Sequence, residues 1–343
     1  MRAVSFACPS GNNRRIVKRV LVIANNLEQA SYRLRIAALI EPLARRGWQL
    51  EVKLRPRGLL ARRRLLRTAN EYQAVILQRK LLDGIDARLL ESRARRVFFD
   101  VDDAVMYCQG NAGLLSRRRA WRRFQATARH VNTVVAGNAY LGELFRREGA
   151  RALILPTVAD VGRYSVKVHA ASAAPTLVWI GSRSTLGYLQ EYLPALERAA
   201  KQVPGLKLLV IADETLPSAP LPVEFIPWSA QTEAASLCRG DIGIAPTPSD
   251  AWTAGKCGFK IVQYMAAGLP VVASPVGANA ELVVAGNTGL LPANADDWVA
   301  AIVQLANDTP LRARMGAAAR QRAEQEYSLE RAVAFWDALL GQG

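Results

Sequence analysis

Histidine and cysteine are scarce in this chain of 343 residues, and their scarcity narrows the chemistry that it can perform. The two histidines, His130 and His169, lie far apart and no HExxH motif occurs. Zinc hydrolysis and His-based acid–base catalysis therefore have few candidates. The four cysteines are widely spaced and none belongs to a CxxC pair, so disulfides and a zinc site are not expected.

Several common motifs are also missing. The loop after the apolar run 20–24 reads Asn-Asn-Leu-Glu-Gln-Ala instead of GxGxxG, which argues against a dinucleotide dehydrogenase. No GxxxxGK[ST] or GxSxG sequence occurs, which argues against a P-loop NTPase and a hydrolase with a nucleophile elbow. The sequence contains no run of about 18 uncharged apolar residues, so it predicts no membrane span. The N-terminal patch Ala3–Cys8 is too short for a signal-peptide core, so we expect a cytosolic protein.

Positive charge is concentrated in the first half of the chain. Residues 1–165 contain 32 Lys and Arg against 13 Asp and Glu, whereas residues 166–343 contain 13 against 16. This asymmetry indicates a partner, either nucleic acid, an anionic membrane or an anionic substrate. Arginine clusters at 62–64 and 117–123 lie in helical stretches with an apolar side, a pattern typical of membrane-surface helices. The alternative is a solvated face of a helix that packs on the core.

Short apolar runs alternate with helical patterns throughout the chain, which predicts parallel sheets covered by helices on both faces. The runs are 20–24, 50–54, 74–77, 97–101, 133–136, 153–155, 177–180, 206–211, 223–226, 242–245, 270–273 and 289–291. The fold class is therefore α/β, with two facing, Rossmann-like, doubly wound domains. We predict an N-terminal domain over 1–158, a linker over 159–175, a second domain over 176–325 and a C-terminal helix over 326–343 that packs towards the first domain. Ligands of such sheets bind at the carboxyl ends of the strands, so we expect the site in the cleft between the domains.

The stretch 250–289 carries the strongest signal for a binding site. A glycine-containing loop leads into a predicted helix over about 256–267, whose N–H groups and positive end favour an anion. Gln263 is polar on a helix whose neighbouring positions are apolar, which suits a diphosphate with hydroxyl groups nearby. The alternative is an ordinary helix start with solvated lysines. The glycines and lysines at this start are Gly255, Lys256, Gly258 and Lys260.

Most of the chain, roughly 18–340, resembles GT-B glycosyltransferases of family 4, and the resemblance is most specific over 176–291. The segments that carry it are Gln263–Gly277 (QYMAAGLPVVASPVG), Glu281 and Gly286–Leu291 for the nucleotide-sugar half, Val178–Ser182 for the first strand and phosphate loop, and Leu155–Asp160 for the interdomain crossover. The resemblance implies that the second domain holds a nucleotide-sugar donor and the first domain holds the acceptor. It implies no metal or other cofactor, because basic side chains and a helix N-terminus neutralise the leaving diphosphate.

Residue by residue, the resemblance implies a donor site in the second domain. Arg183 with Lys256 or Lys260 would clamp the phosphates, Trp228 would pack against the base, and Gln263 would hold the ribose hydroxyls. The donor-binding residues that it implies are Gly181, Ser182, Arg183, Trp228, Lys256, Lys260, Gln263 and Glu281.

The family's Glu-x7-Glu pair falls on Gly255 and Gln263 in this sequence. The first glutamate, which would hold the donor sugar, is absent. This departure leaves the identity of the donor open and admits a chain that has lost catalysis.

The first half of the chain offers candidates for the acceptor side. Phe98–Asp103 (FFDVDD) ends a predicted strand with three carboxylates, and Asp102 falls on a histidine of the family. Asp102 or Asp103 would orient the acceptor hydroxyl or accept its proton, the alternative being helix capping and ion pairs with nearby arginines. Arg33 and Arg35 would bind an acceptor phosphate, the alternative being a solvated face.

The sequence thus predicts a glycosyltransferase that is peripheral at the inner face of the cytoplasmic membrane. It would move a sugar from a nucleotide diphosphate to a hydroxyl of a glycan or lipid-linked acceptor, with retention of configuration implied by the resemblance only. Its pathway would be the assembly of surface polysaccharide or glycolipid. The alternatives are a non-catalytic accessory subunit, a nucleic-acid-binding protein, which lacks an aromatic platform here, and a sugar-nucleotide epimerase.

Overall fold

The computed structural model describes residues 18–107, 113–170 and 174–342. The N-terminal patch Ala3–Cys8, Cys108 and the predicted linker residues 171–173 lie outside the described residues. None of the helices in the described ranges has both the length and the apolar character that crossing a membrane requires.

Six parallel strands form the sheet of the first domain within the described residues, in the order β2-β1-β3-β4-β5-β6. Every side chain of β3, β4 and β5 is buried, because helices cover both faces of the sheet. The order of the strands reverses between β1 and β3, so their carboxyl ends flank a crevice. The strands are β1 Lys18–Ala24, β2 Trp48–Leu54, β3 Ala74–Gln78, β4 Val97–Val101, β5 Thr133–Ala136 and β6 Ala152–Ile154.

The described part of the second domain repeats this plan with six parallel strands in the order β12-β11-β10-β7-β8-β9. Here the strand order reverses between β7 and β10. The strands are β7 Thr176–Ile180, β8 Lys207–Ala212, β9 Val223–Pro227, β10 Ile242–Ala245, β11 Val271–Ala273 and β12 Gly289–Leu290. The prediction of two doubly wound α/β domains is confirmed, and each predicted apolar run overlaps a strand.

Helices connect the strands, and several begin at side chains that cap their free N–H groups. Asn138 accepts from Leu141 N at the start of α6, and Asn294 accepts from Asp297 N at the start of α12. A π-helical stretch, Arg33–Ala37, joins α1 to α2. The helices are α1 Ala30–Tyr32, α2 Ala38–Arg45, α3 Leu59–Arg67, α4 Gly84–Arg93, α5 Leu114–Arg129, α6 Ala139–Arg147, α7 Arg183–Gln202, α8 Glu233–Leu237, α9 Ala251–Ala254, α10 Phe259–Ala266, α11 Ala278–Leu282, α12 Ala295–Asn307, α13 Thr309–Glu326 and α14 Leu329–Gly341.

The last helix, α14, returns to the first domain and joins its core. Trp336 is fully buried and meets the ring of Phe98 edge to face, with 6.0 Å between the ring centroids. Asp337 on the same helix accepts from Trp48 Nε1 at 2.8 Å and pairs with Arg46. The chain therefore crosses between the domains twice, once after β6 and once before α14.

We expect Trp336→Ala to lower the free energy of unfolding by about 3–5 kcal/mol, because it removes a fully buried indole from the first core. Denaturant unfolding followed by circular dichroism measures this loss. Arg331→Ala, an exposed change on the same helix, should stay within about 0.5 kcal/mol of the wild type. Equal stability of the two variants would contradict the packing role of α14.

Candidate functional site

A cleft of about 660 Å³ lies between the two domains, at the carboxyl ends of the strands of the second sheet. The first domain lines it with Arg33, Leu34 and Asp103. Predicted site residues that face the cleft are Arg33, Asp103, Gly181, Ser182, Trp228, Lys256, Lys260 and Gln263. Arg35, Asp102, Arg183 and Glu281 do not line the cleft.

The loop after β7 forms one wall of the cleft, and its backbone at Gly181 lies close against the side chains of Trp179 and Thr185. A Cβ atom on Gly181 would lie 2.4 Å from the Trp179 ring and 2.9 Å from Thr185 Oγ1, so only glycine fits there. Ser182 then begins α7 with a capping box, in which the side chains of Ser182 and Thr185 each bond the other's backbone N–H. This wall therefore exposes backbone and hydroxyl groups rather than bulky side chains.

Lys260 places a positive charge beside this wall. Its Nζ lies 4.5 Å from the centroid of the Trp179 ring, and no carboxylate of the described residues forms an ion pair with it. Removal from water and the neighbouring Lys256 lower the pKa of Lys260 to about 7. An amine that is dehydrated and unpaired in the free protein is suited to an anionic ligand, because the anion stabilises its charged form.

The helix that carries Lys260 begins later than the sequence predicts. Gly258 is its N-cap in the left-handed conformation, with φ of 62°, and α10 starts at Phe259. Lys256 therefore lies in the preceding loop, where its Nζ stands 5.6 Å from the centroid of the Trp252 ring. The two lysines flank the turn at Gly258 instead of sharing one helical face.

Opposite the lysines, four polar or aromatic side chains make a connected wall. Tyr164 Oη lies 3.4 Å from both Gln263 Nε2 and Glu233 Oε1, and Trp228 Nε1 donates to Glu233 Oε2 at 2.7 Å. Glu233 also lines the cleft, and the sequence analysis missed it because it lies 30 positions before Gln263 on another helix. A carboxylate is thus present near Gln263 although the family's second glutamate is replaced.

Arg33 reaches this wall from the first domain. Its guanidinium carbon lies 4.9 Å from the centroid of the Trp228 ring, a cation–π distance. Arg33 Nε is buried and has no hydrogen-bond partner among the described residues. The face of Trp228 towards the first domain is therefore covered by a side chain that retains a free donor.

The carboxylates after β4 divide between the protein interior and the cleft. Asp103 faces the cleft and forms an ion pair with Arg79, with 2.8 Å between Arg79 Nη2 and Asp103 Oδ2. Asp102 lies behind it, almost fully buried, 3.6 Å from Arg79 Nε. Burial and the neighbouring Asp102 raise the pKa of Asp103 to about 6. Of the two predicted catalytic residues, the structure thus places only Asp103 in reach of a ligand.

Arg79 holds this pair of carboxylates, and the sequence analysis missed it. It follows β3 directly and has a positive φ of 57°, which is uncommon and strained for a residue other than glycine. This conformation turns its side chain towards the end of the neighbouring strand β4. A single arginine after an apolar run does not predict such a backbone conformation, so the role of Arg79 could not be predicted from the sequence.

The prediction that Arg35 binds an acceptor phosphate is wrong. Its guanidinium is buried and pairs with Asp100, with 2.6 Å between Nη2 and Oδ1. Its Nη1 donates to Leu155 O at 2.9 Å and to Thr157 Oγ1 at 3.3 Å. Burial alone would lower the pKa of Arg35, but the Asp100 carboxylate outweighs it and holds the pKa above its usual value. Arg35 is only 4% exposed and does not line the cleft, so its guanidinium is out of reach of an acceptor there.

Arg183 and Glu281 do not line the cleft, and their predicted contacts with the donor stay predictions. Arg183 is largely exposed and pairs with Glu214 at 3.1 Å, because the first turn of α7 directs it to the surface. Glu281 accepts from Ala139 N at 3.3 Å, at the first turn of α6 in the other domain. Its carboxylate thereby joins the two domains.

Gly255, the position of the family's first glutamate, is a contact between the domains. A Cβ atom there would lie 2.5 Å from Ala104 Cβ of the first domain. Nearby, Asn138 Nδ2 donates to Lys256 O at 2.9 Å and to Ala254 O at 3.2 Å. The glutamate is therefore replaced by a residue without a side chain at a place where the two domains touch.

Neither histidine takes part in the cleft. His130 pairs with Glu91 on the surface, and His169 bonds Gly268 O. In the described part of the chain, no three His, Cys, Asp or Glu side chains are grouped so that they would hold a metal ion. The chemistry of the cleft thus rests on lysines, an arginine, carboxylates, an amide and backbone groups.

Comparison with known proteins identifies the second domain. Residues 174–308 match the family model described as Glycosyl transferases group 1. A D-inositol 3-phosphate glycosyltransferase from Corynebacterium aurimucosum is 43% identical over 70 residues, which cover 20% of this chain and 17% of that relative. The resemblance to group 1 glycosyltransferases that the sequence predicts is confirmed.

Solved structures share the two-domain fold. HepE from Anabaena, in complex with UDP and glucose, is 16% identical with a TM-score of 0.71, over 94% of this chain and 99% of that one. Sucrose-phosphate synthase from Thermosynechococcus elongatus is 16% identical with a TM-score of 0.70, over 94% and 98%. HepE has also been solved with UDP-glucose. The fold of this chain is accordingly the GT-B architecture.

We expect Lys260→Met to stabilise the unliganded protein while weakening its affinity for pyrophosphate. The folded pKa of about 7 lies below that of an unfolded lysine, so charging Lys260 opposes folding fully below pH 7. The gain from methionine should therefore be largest at or below pH 7 and should shrink as the pH rises towards 10. We expect a rise in Tm of roughly 2–4 °C at pH 6.5, the shift that ~1 kcal/mol produces.

Differential scanning calorimetry with and without pyrophosphate measures both effects. Lys201→Met removes an equivalent charge from the exposed surface of α7 and should change neither Tm nor pyrophosphate binding. Unchanged pyrophosphate affinity in Lys260→Met would exclude Lys260 from the anion site.

Proposed function

We propose that this chain, whose second domain is a group 1 glycosyltransferase domain, transfers a sugar from a nucleotide diphosphate donor to an acceptor hydroxyl. The observation that supports this proposal most directly is the unpaired Lys260 beside the Gly181–Ser182 wall, inside a cleft of about 660 Å³. It offers an uncompensated cation where the family resemblance implies the donor diphosphate.

The donor would lie along the second domain, with its diphosphate between Lys256, Lys260 and the Gly181–Ser182 wall. In that pose Gln263 and Glu233 would face the ribose, since both line the cleft and both contact Tyr164 Oη at 3.4 Å. The base would pack beside Trp228, with Arg33 as a neighbouring donor. The solved HepE complexes hold UDP and UDP-glucose, so uridine nucleotides are the first donors to test.

The acceptor would enter from the first domain, where Asp103 faces the cleft. A pKa of about 6 leaves Asp103 ionised at neutral pH, so that it can accept a hydrogen bond or a proton from the attacking hydroxyl. Arg79 positions this carboxylate through the ion pair of 2.8 Å. As the bond from the anomeric carbon to the diphosphate breaks, the lysines stabilise the negative charge on the departing phosphate oxygen.

The remaining parts of the proposal rest on the family resemblance. They are transfer with retention of configuration, no requirement for a metal ion and a role in surface polysaccharide or glycolipid assembly. Lys256 and Lys260 would supply the positive charge that a metal ion supplies to phosphates in other enzymes. A glycan or a lipid-linked molecule would be the acceptor.

Peripheral binding to an anionic membrane is part of the same proposal. Exposed leucines project from two basic helices of the first domain: Leu60 of α3 is 83% exposed, and Leu114 and Leu115 of α5 are 74% and 82% exposed. Arg118, Arg119 and Arg122 lie on α5 beside the leucines and are exposed too. Apolar side chains among cations are typical of helices that rest on anionic lipid.

The decisive experiment measures sugar transfer and donor binding in the same variants. Thermal-shift screening of nucleotides and nucleotide sugars should give a rise in Tm with one base. With the donor so identified, Asp103→Asn should lower turnover by about 100-fold or more while leaving the donor-induced shift intact. Wild-type turnover should fall as the pH drops through about 6, because the Asp103 carboxylate becomes protonated. Asp103→Asn should not show this decrease.

Asp296→Asn, on the far surface of the second domain, serves as the matched control and should retain full turnover. Donor binding without turnover under all conditions would favour the accessory subunit. Conversion of the donor without an acceptor would favour the epimerase. Full activity in Asp103→Asn would assign that residue a structural role.

Membrane binding is tested with vesicles that contain about 30% phosphatidylglycerol. We expect wild-type protein to sediment with them at low salt and to be released as salt rises, because Debye screening weakens attraction between exposed charges. The double variant Leu114→Ser, Leu115→Ser should bind several-fold more weakly. Val168→Ser, an exposed valine of the second half, is the control. Equal binding by both variants would contradict insertion of α5.

A further inference from the structure

A second, smaller cavity of about 300 Å³ opens at the crevice of the first sheet. It lies at the carboxyl ends of β1 and β3, where the strand order reverses, which is the place where open α/β sheets bind ligands. Its lining residues are Asn25, Gln29, Arg79, Lys80, Leu81, Val105, Tyr107, Ala120, Arg123 and Trp252.

Arg79 in the wall of this cavity pairs with Asp102 and Asp103, but three other cations in and beside the cavity form no ion pair within the described part of the chain. Lys80 and Arg123 line the cavity. Burial, together with the positive charges of Arg55 and Arg123, lowers the pKa of Lys80. None of the three forms an ion pair with an Asp or Glu of the described residues. The segments outside the description, 1–17, 108–112, 171–173 and 343, contain no Asp or Glu.

Further hydrogen-bond donors at this place lack partners. Arg55 Nε is buried without a hydrogen-bond partner among the described residues, and so is Trp252 Nε1, which lies in the wall of the cavity. A buried donor without a partner has lost its hydrogen bonds to water and is stabilised by any acceptor that reaches it. Burial also lowers the pKa of Arg55, helped by the charges of Arg62 and Arg123. Cations and unpaired donors together describe a site for an anion.

The cavity adjoins the acceptor side of the cleft through one ion pair. Arg79 lines the cavity, Asp103 lines the cleft, and the two side chains are 2.8 Å apart. The cavity and the acceptor side of the cleft therefore share the Arg79–Asp103 ion pair as a common wall. Trp252 belongs to the second domain, so a ligand in this cavity would touch both domains.

We propose that this cavity binds the phosphoryl group of a phosphorylated acceptor, with Lys80 and Arg123 as its ligands and the Trp252 indole N–H as a further donor. This inference rests on the proposed function, since it names the class of acceptor. A phosphate dianion would compensate two of the three neighbouring cations and would satisfy donors that are unpaired in the free protein. Lys80 and Arg123 would then give the protein its selectivity for phosphorylated acceptors over neutral glycans.

The test measures binding of glycerol phosphate and inorganic phosphate in the presence of saturating UDP, so that the donor site is already filled. Isothermal titration with wild-type protein should give binding that neutral glycerol does not reproduce. Lys80→Met and Arg123→Gln should each weaken it about tenfold or more. Arg129→Gln removes the same charge from an exposed position at the other end of α5, where Arg129 pairs with Glu148, and should leave the affinity unchanged.

The outcomes separate this inference from the proposed function. Binding of UDP with phosphate affinity that is equal in wild type, Lys80→Met and Arg123→Gln would overturn the second site and leave the donor site standing. Phosphate binding that depends on Lys80 in a protein that binds none of the screened nucleotides would support the second site and contradict the proposed donor site. Equal losses of affinity in Arg129→Gln and Arg123→Gln would show that only the general surface charge matters, and would overturn the inference.

Competition with phosphatidylglycerol vesicles distinguishes the source of the phosphoryl group. Vesicles that displace glycerol phosphate from wild-type protein would identify a lipid phosphate as the ligand. Vesicles that bind without displacing it would identify a soluble phosphorylated acceptor. Both results retain the site, provided that Lys80→Met abolishes the binding that is being displaced.

Discussion

The buried ion pair between Arg35 and Asp100 is the constraint on which the acceptor side of the molecule depends. It fastens the π-helical stretch of the first helix to the end of β4, and its remaining donors reach Leu155 O and Thr157 at the interdomain crossover. Breaking such a pair by removing one partner typically costs 3–5 kcal/mol, because the other charge stays buried. Since Asp103 follows only three residues later, the ion pair also fixes where the cleft's carboxylate stands.

The strands and the donor wall could be predicted because their signals are local. A run such as Val20–Ala24 is apolar throughout since parallel strands are buried on both faces, and the glycine and lysines before Gln263 are adjacent in sequence. The structure brings Lys256, Lys260 and Gln263 to one cleft. The start of α10 was misplaced by three residues because the left-handed turn at Gly258 is set by packing and not by helix propensity.

Other parts of the site could not be predicted, because they depend on pairs that are distant in sequence. The partner of Arg35 lies 65 positions away, so nothing local distinguishes a buried arginine from a solvated one. Glu233 is connected to Gln263 only through Tyr164. Arg79 has a backbone conformation that the neighbouring residues do not predict. The excess of positive charge in residues 1–165 did point to the first domain. It did not distinguish the arginines that form ion pairs from Lys80 and Arg123, because the lack of partners is visible only in the structure.

The contact of Gly255 with Ala104 bears on how this lineage can change. A glutamate at position 255 would push Ala104 and the start of the loop beyond β4 away from the second domain. The residues that position 255 accepts are therefore decided by a residue of the opposite domain. A side chain at position 255 would be tolerated only together with a change at Ala104 or with a wider separation of the two domains, so the two positions can change only as a pair.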